Sequence, residues 1–183
     1  MRSITLQGTL PGAILLFASF LPAVPTGSAN AAPQKKEYLT EAEADKIRDA
    51  GATGPRIVLF ATFASDRIKK LQYEFAHIDP TDQKRTERLN SLLNGYTGCI
   101  DDAADLIEIG IEKQEDIRDG VKAMQSGIKE FLPYLKGLAL NGVERETYKE
   151  NLEDAIEATQ DAAKDVDKAA KETPAAPVRR KPS

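Results

Sequence analysis

The chain has 183 residues, of which 41% are hydrophobic and 30% charged, and its formal net charge is −4. This length suffices for one domain with its own core, and an acidic balance of mixed charges argues against general nucleic-acid binding. The sequence contains one histidine, one cysteine and no tryptophan, which excludes a disulfide framework, a haem-attachment motif and a paired-cysteine metal site.

Residues 1–31 have the layout of a secretory signal peptide. Arg2 supplies the positive charge at the start, an apolar stretch runs from about residue 10 to 24, and residues 29–31 (Ala-Asn-Ala) supply an A-x-A cleavage site. The apolar stretch is shorter than the roughly 20 residues of a membrane span. We therefore expect cleavage after Ala31, a periplasmic or secreted protein, and no membrane span in the mature chain.

Cleavage after Ala31 removes one basic side chain, leaving 152 residues with 24 basic and 29 acidic side chains and a net charge of −5. Residues 32–39 are expected to be a flexible start and residues 40–172 to form a helical domain. Residues 173–183 are rich in proline and basic side chains, which predicts a disordered tail.

Two helices are predicted at the start of the helical domain. Thr40 and Glu43 have the spacing of a capping box, which predicts a short helix over residues 40–50. A second helix is predicted over about residues 55–78, because its apolar side chains recur every three or four positions and so share one face. In isolation residues 56–63 resemble a strand, but no second strand candidate exists to pair with them.

The longest apolar stripe runs from Leu89 to Leu138 with heptad-like spacings of three and four. It is compatible with one helix over about residues 82–140, or with two helices that meet between residues 110 and 116. A last helix is predicted over residues 144–171. With the break, the chain is an all-α antiparallel helical bundle with coiled-coil-like heptad packing; without it, helical hairpins extend along one long central helix. We favour the bundle, because thin two-helix hairpins bury little apolar surface.

Patterns that would support catalysis or metal binding are scarce. Glu74 and His77 form the only E-x-x-H pair, whereas di-iron bundles use two such pairs, so no metal site and no cofactor are predicted. No nucleophile motif accompanies His77, so we predict no catalytic residue and no enzyme activity. Cys99 flanks the apolar stripe and is interpreted as a buried core residue. The alternative role for Cys99 is a covalent link between two chains of a homodimer.

The most ordered polar feature of the sequence is a stripe of acidic residues at spacings of three and four. This spacing predicts carboxylates along one helix face that bind a basic surface, either of an unknown protein partner or of the basic tail of a neighbouring copy. The alternative is a solvated face without a partner. The stripe consists of Asp101, Asp105, Glu108, Glu112, Glu115 and Asp119.

The start of the helical domain resembles a group of exported bacterial proteins. The matching segments are residues 38–50 (YLTEAEADKIRDA), Arg56-Ile57 and residues 63–68 (FASDRI). Proteins of this group open with a Leu-Thr-rich acidic helix and continue as long helices, and the group has no established activity. The resemblance thus implies export and helices, and nothing catalytic.

Together these features predict an exported, non-enzymatic helical protein that acts through protein–protein contacts. A periplasmic holdase-type chaperone is the first alternative, because amphipathic helices and an acidic surface would serve that role. A metal-carrying helical bundle is the second alternative, and the single histidine argues against it.

Overall fold

The computed structural model describes residues 38–172 of the chain. This range contains five α-helices and no strand. Helices account for 83% of these residues, which confirms the all-α prediction and the helical interpretation of residues 56–63. The helices are α1 (Glu41–Asp49), α2 (Thr53–Ala76), α3 (Arg85–Glu112), α4 (Arg118–Asn141) and α5 (Lys149–Glu172), with a single 3-10 turn at Arg145–Thr147 before α5.

Several predictions concern residues outside this range. The signal peptide (1–31), most of the flexible start (32–37) and the basic tail (173–183) lie outside the described residues. Tyr38 and Leu39 are described, and there the prediction of a flexible start is wrong. Leu39 is buried in the core, and the carbonyl of Tyr38 accepts a hydrogen bond of 3.2 Å from Arg67. These contacts fix both residues to the bundle.

Helices α2 to α5 form a four-helix bundle. Helix α2 packs against α3 and α4, and α5 packs against the same two helices, so that α3 and α4 lie diagonally across the core. The start of α3 lies beside the ends of α2 and α4, because Arg85 pairs with both Glu74 and Glu144. Consecutive helices therefore run in opposite directions. The antiparallel bundle is confirmed, although two consecutive helices, α3 and α4, are not neighbours.

The predicted apolar stripes fill the core of the bundle, and one hydroxyl pair lies among them. Tyr96 on α3 and Thr159 on α5 are both fully buried, and their side-chain oxygens are 2.7 Å apart. The Thr159 hydroxyl is also 2.6 Å from the carbonyl of Ala155, and the ring of Phe131 meets that of Tyr96 edge-on. An unpaired buried hydroxyl would cost about 1–3 kcal/mol, so this pairing explains why an apolar stripe tolerates a threonine.

The helix that carries the central apolar stripe ends at Glu112, so the alternative of one long central helix is wrong. The N–H of Gln114 donates to the carbonyl of Ile111 at 3.1 Å, and the N–H of Glu115 donates to the carbonyl of Gly110 at 2.9 Å. Gln114 itself has a φ of 55°, in the left-handed region. These features define a Schellman motif, which ends α3 by giving partners to its last carbonyls.

The chain re-enters the core directly after this turn. Ile117 is buried beside Gly110, where an added Cβ would collide with the Cγ2 atom of Ile117. The apolar spacing from α3 to α4 is thus preserved through a turn rather than through a continuous helix.

Gln114→Gly should raise the free energy of unfolding by about 0.5–1 kcal/mol, because glycine adopts a left-handed backbone without the steric cost that a side chain imposes. Lys113→Gly is the matched control. Lys113 has a φ of −85°, so glycine there should destabilise the protein by a similar amount. Urea denaturation measures both, and an equal loss of stability in the two variants would contradict the turn geometry.

Candidate functional site

The six acidic residues of the predicted stripe are divided between three segments of the structure. The turn after Glu112 interrupts the stripe and the following helix starts on the opposite side of the core, so the prediction of six carboxylates on one helix face is wrong. Asp101, Asp105, Glu108 and Glu112 lie on α3, Glu115 lies in the α3–α4 turn, and Asp119 lies in the first turn of α4.

The four carboxylates on α3 remain together, and we call Asp101, Asp105, Glu108 and Glu112 the acidic row. All four are exposed, and none forms an ion pair with another described residue. Partial burial and the neighbouring charge of Asp105 raise the pKa of Asp101 above its ordinary value. The row thus concentrates negative charge that the described part of the chain leaves uncompensated.

Glu74 and His77 do not converge on a common ligand. Both carboxylate oxygens of Glu74 accept hydrogen bonds from Arg88, at 3.1 and 2.8 Å. The ring of His77 stacks on that of Tyr73 with 4.1 Å between centroids, and its Nδ1 is 2.9 Å from the carbonyl of Tyr73. Within residues 38–172, no group of three His, Cys, Asp or Glu side chains is arranged to hold a metal ion.

Cys99 is fully buried in the core, on the side of α3 that faces Arg67. Its interpretation as a core residue is confirmed. A disulfide between two copies would require α3 to separate from α2, so Cys99 is a poor candidate for a link between chains.

A buried arginine, which the sequence reasoning missed, holds the N-terminal segment to the bundle. Arg67 on α2 is 6% exposed, and its guanidinium binds both carboxylate oxygens of Glu43, with 2.7 Å between Nη2 and Oε2. The same Nη2 donates to the carbonyl of Tyr38 at 3.2 Å. Hydrogen bonding from Arg67 lowers the pKa of Glu43 to about 2. A bidentate pair of this kind offsets the cost of burying both charges.

Glu43 also closes the predicted capping box of α1, which is confirmed. The N–H of Thr40 donates to Glu43 at 2.9 Å, and the N–H of Glu43 donates to the Thr40 hydroxyl at 3.3 Å. Helix α1 has no fully buried side chain of its own. Its attachment therefore depends on Arg67 and on the preceding Tyr38 and Leu39, more than on an apolar face.

A second arginine cluster, also missed, joins two connections at one end of the bundle. Arg85 is 4% exposed and donates to the carbonyl of Glu74 at 2.5 Å and to the carboxylate of Glu144 at 3.1 Å. Arg88 binds Glu74 and, at 2.5 Å, Asp82. The cluster thus ties the α2–α3 connection to the α4–α5 connection, which is a structural role.

Comparisons with protein-family models, with curated proteins and with solved structures find no match to this chain. The resemblance to exported helical proteins therefore stays a prediction. No helix in the described range is both long and apolar enough to cross a membrane.

Glu43→Gln should lower the free energy of unfolding by about 1.5–3 kcal/mol at neutral pH, because it removes the charge that pairs with buried Arg67. The folded-state pKa of Glu43 is depressed from 4.5 to about 2. The advantage of the wild type is therefore fully present above about pH 4.5 and is lost as the pH falls towards 2. Urea denaturation of both proteins across this range measures the difference.

Glu41→Gln is the control, since it removes a carboxylate from an exposed position on the same helix. It should change stability by less than about 0.5 kcal/mol at neutral pH. A stability gap between the wild type and Glu43→Gln that stays constant down to about pH 2 would contradict the role assigned to Glu43.

Proposed function

We propose that the chain is an exported, non-enzymatic helical protein that acts through protein–protein contacts and that the acidic row is its contact surface. The observation that carries this proposal is that four exposed carboxylates follow α3 at spacings of three and four and none of them is paired with a basic side chain of the described residues. Glu43, Glu74 and Asp82 are each paired with an arginine, whereas the four members of the row have no basic partner in the described part of the chain.

The spacing of the acidic row carries an intrinsic cost. Asp101 and Asp105, and likewise Glu108 and Glu112, are four residues apart, and like charges at this spacing destabilise a helix by a few tenths of a kcal/mol per pair. A basic segment docked along α3 would relieve this repulsion. The partner class that fits is a protein segment rich in Lys and Arg, on another protein or on the basic tail of a second copy, bound in a salt-sensitive manner.

A holdase-type chaperone is the second candidate function. It is supported by four exposed apolar or aromatic side chains, a feature that can bind unfolded chains. Suppression of the aggregation of an unfolded client by the purified protein would favour this candidate over a specific contact. The four residues are Tyr73, Ile78, Leu140 and Val143.

Neutralising the acidic row should weaken partner capture while stability is retained or raised, because like-charge repulsion is removed. The matched control neutralises three exposed carboxylates of α5 that also form no ion pair with a described residue. Capture is measured by cross-linking in the native compartment followed by mass spectrometry. The test variant is Asp105→Asn, Glu108→Gln, Glu112→Gln, and the control is Glu150→Gln, Glu153→Gln, Glu157→Gln.

Added salt should reproduce the loss of capture in the wild type. Salt screens the attraction between exposed charges and shortens its range below the about 8–10 Å of physiological ionic strength. The control variant should retain its partners. If the test variant keeps every partner of the wild type, the row is a solvated face and the proposed contact surface is wrong.

Export has its own test. The intact mass of the protein recovered from the cell envelope or the medium should correspond to a chain that starts at Ala32. A mature protein that keeps Met1, or one that is found only in the cytoplasm, would contradict export. This result would not bear on the acidic row, which the charge-neutralised variant tests separately.

A further inference from the structure

A cleft of about 390 Å³ lies between α2 and α3, in the half of α3 that does not carry the acidic row. This volume falls in the range of small-molecule sites, about 300–1,000 Å³. Three of its lining side chains are basic and one is acidic. The lining consists of Lys69, Lys70, Tyr73 and Glu74 of α2 with Arg88, Ser91 and Leu92 of α3.

The charge of the cleft is opposite in sign to that of the whole chain. Its one carboxylate, Glu74, already binds Arg88 and lies 3.6 Å from Arg85. Lys69 and Lys70 are exposed and form no ion pair with any described residue. Arg88 is paired with Glu74 and also with Asp82, which lies outside the lining, so the positive charges that no described carboxylate pairs are the two of Lys69 and Lys70, on a protein whose net charge is −4.

Arg88 is held in position for a further hydrogen bond. Its Nε and Nη2 atoms donate to Glu74, and Nη2 also donates to Asp82. Its Nη1 atom donates to none of the described residues, and the side chain is 42% exposed. Because two carboxylates fix the guanidinium plane, an anion that meets Nη1 would not have to order this side chain on binding.

Other lining residues add donors and an apolar wall. The hydroxyls of Ser91 and Tyr73 make no hydrogen bond within the described chain, and the Tyr73 ring is 62% exposed and fixed by stacking on His77. Leu92 is half-buried beneath them. The cleft offers more hydrogen-bond donors than a single carboxylate could accept. A phosphate monoester has three terminal oxygens and two negative charges, which match these donors and the excess of positive charge.

We propose that this cleft binds a phosphate monoester group, with its oxygens on Arg88, Lys69 and Lys70 and the adjoining apolar part of the ligand against Tyr73 and Leu92. The group can belong to a free phosphorylated small molecule or to a lipid headgroup. The acidic row is not involved, so this proposal does not rest on the proposed function.

Phenyl phosphate is the probe, because it combines a phosphate monoester with a small ring. Titration at low ionic strength should produce saturable amide shifts in NMR spectra, confined to residues 69–74 and 88–92. Phenyl sulfate, a monoanion of the same shape, should bind more weakly, and benzyl alcohol should not bind, because the charge excess favours a dianion. Shifts that are absent, or spread over the whole surface without saturation, would overturn the proposal.

Lys69→Gln, Lys70→Gln should weaken binding of phenyl phosphate by roughly tenfold or more, because two charges within a few ångströms of the ligand are lost. Both lysines are exposed and form no ion pair with a described residue, so the variant should keep the helical content of the wild type. The matched control, Lys122→Gln, Lys129→Gln, removes two exposed lysines from α4 and should leave the affinity unchanged. Equal losses in both variants would mean non-specific attraction and would overturn the site.

Vesicles distinguish the two sources of the phosphate group. Binding to vesicles that contain phosphatidic acid, a lipid monoester, and no comparable binding to phosphatidylglycerol, a diester, assigns a lipid headgroup. Saturable binding of phenyl phosphate without vesicle binding assigns a free small molecule. Absence of both contradicts the proposal.

Discussion

Five residues join two helices that lie diagonally across the core, and this short connection fixes the order of all four bundle helices. Five residues span at most about 17 Å, so the end of α3 and the start of α4 have to lie within that distance of each other across the core. Helix α2 starts at the same place. A Cβ atom on Gly54 would lie 2.6 Å from the carbonyl oxygen of Asp116, and a Cβ atom on Gly110 would collide with Ile117. Only residues without side chains allow these segments to approach so closely.

The opposite end of the bundle and the N-terminal segment are held by arginines. Arg85 joins the two connections at that end, and Arg67 fixes α1 and the residues before it. The carboxylates that bind these arginines therefore have their negative charge compensated within the bundle. The acidic row binds none of these arginines, and the cleft beside Arg88 contains hydrogen-bond donors that have no acceptor among the described residues. We therefore propose that these two surfaces contact other molecules.

The period of the apolar residues was enough to predict the helices and most of the core, because burial of one face follows directly from a spacing of three and four. It did not by itself decide between a continuous helix and a break between residues 110 and 116, since the apolar spacing continues across the turn and Gln114 takes a left-handed backbone that glycine or asparagine usually signals. The division of the acidic stripe follows from the same turn. Arg67 lies in phase with Phe60, Ala64 and Leu71 of the apolar stripe, a signal that could have indicated a buried ion pair. The cleft depends on the register between α2 and α3, and this register cannot be deduced from the spacing of apolar residues within a single helix.

The effect of a single methyl group at Gly54 tests the packing of this connection most directly. Gly54→Ala should lower the free energy of unfolding by about 1–3 kcal/mol, because the new Cβ atom meets a backbone carbonyl that cannot move without shifting the turn. Gly137 lies on α4, where an added Cβ would have no atom of residues 38–172 within 4 Å, so Gly137→Ala should stabilise the protein by about 0.5–1 kcal/mol. Urea denaturation of the two variants should thus give changes of opposite sign, and an equal gain of stability in both would show that α2 and the connection are not in contact.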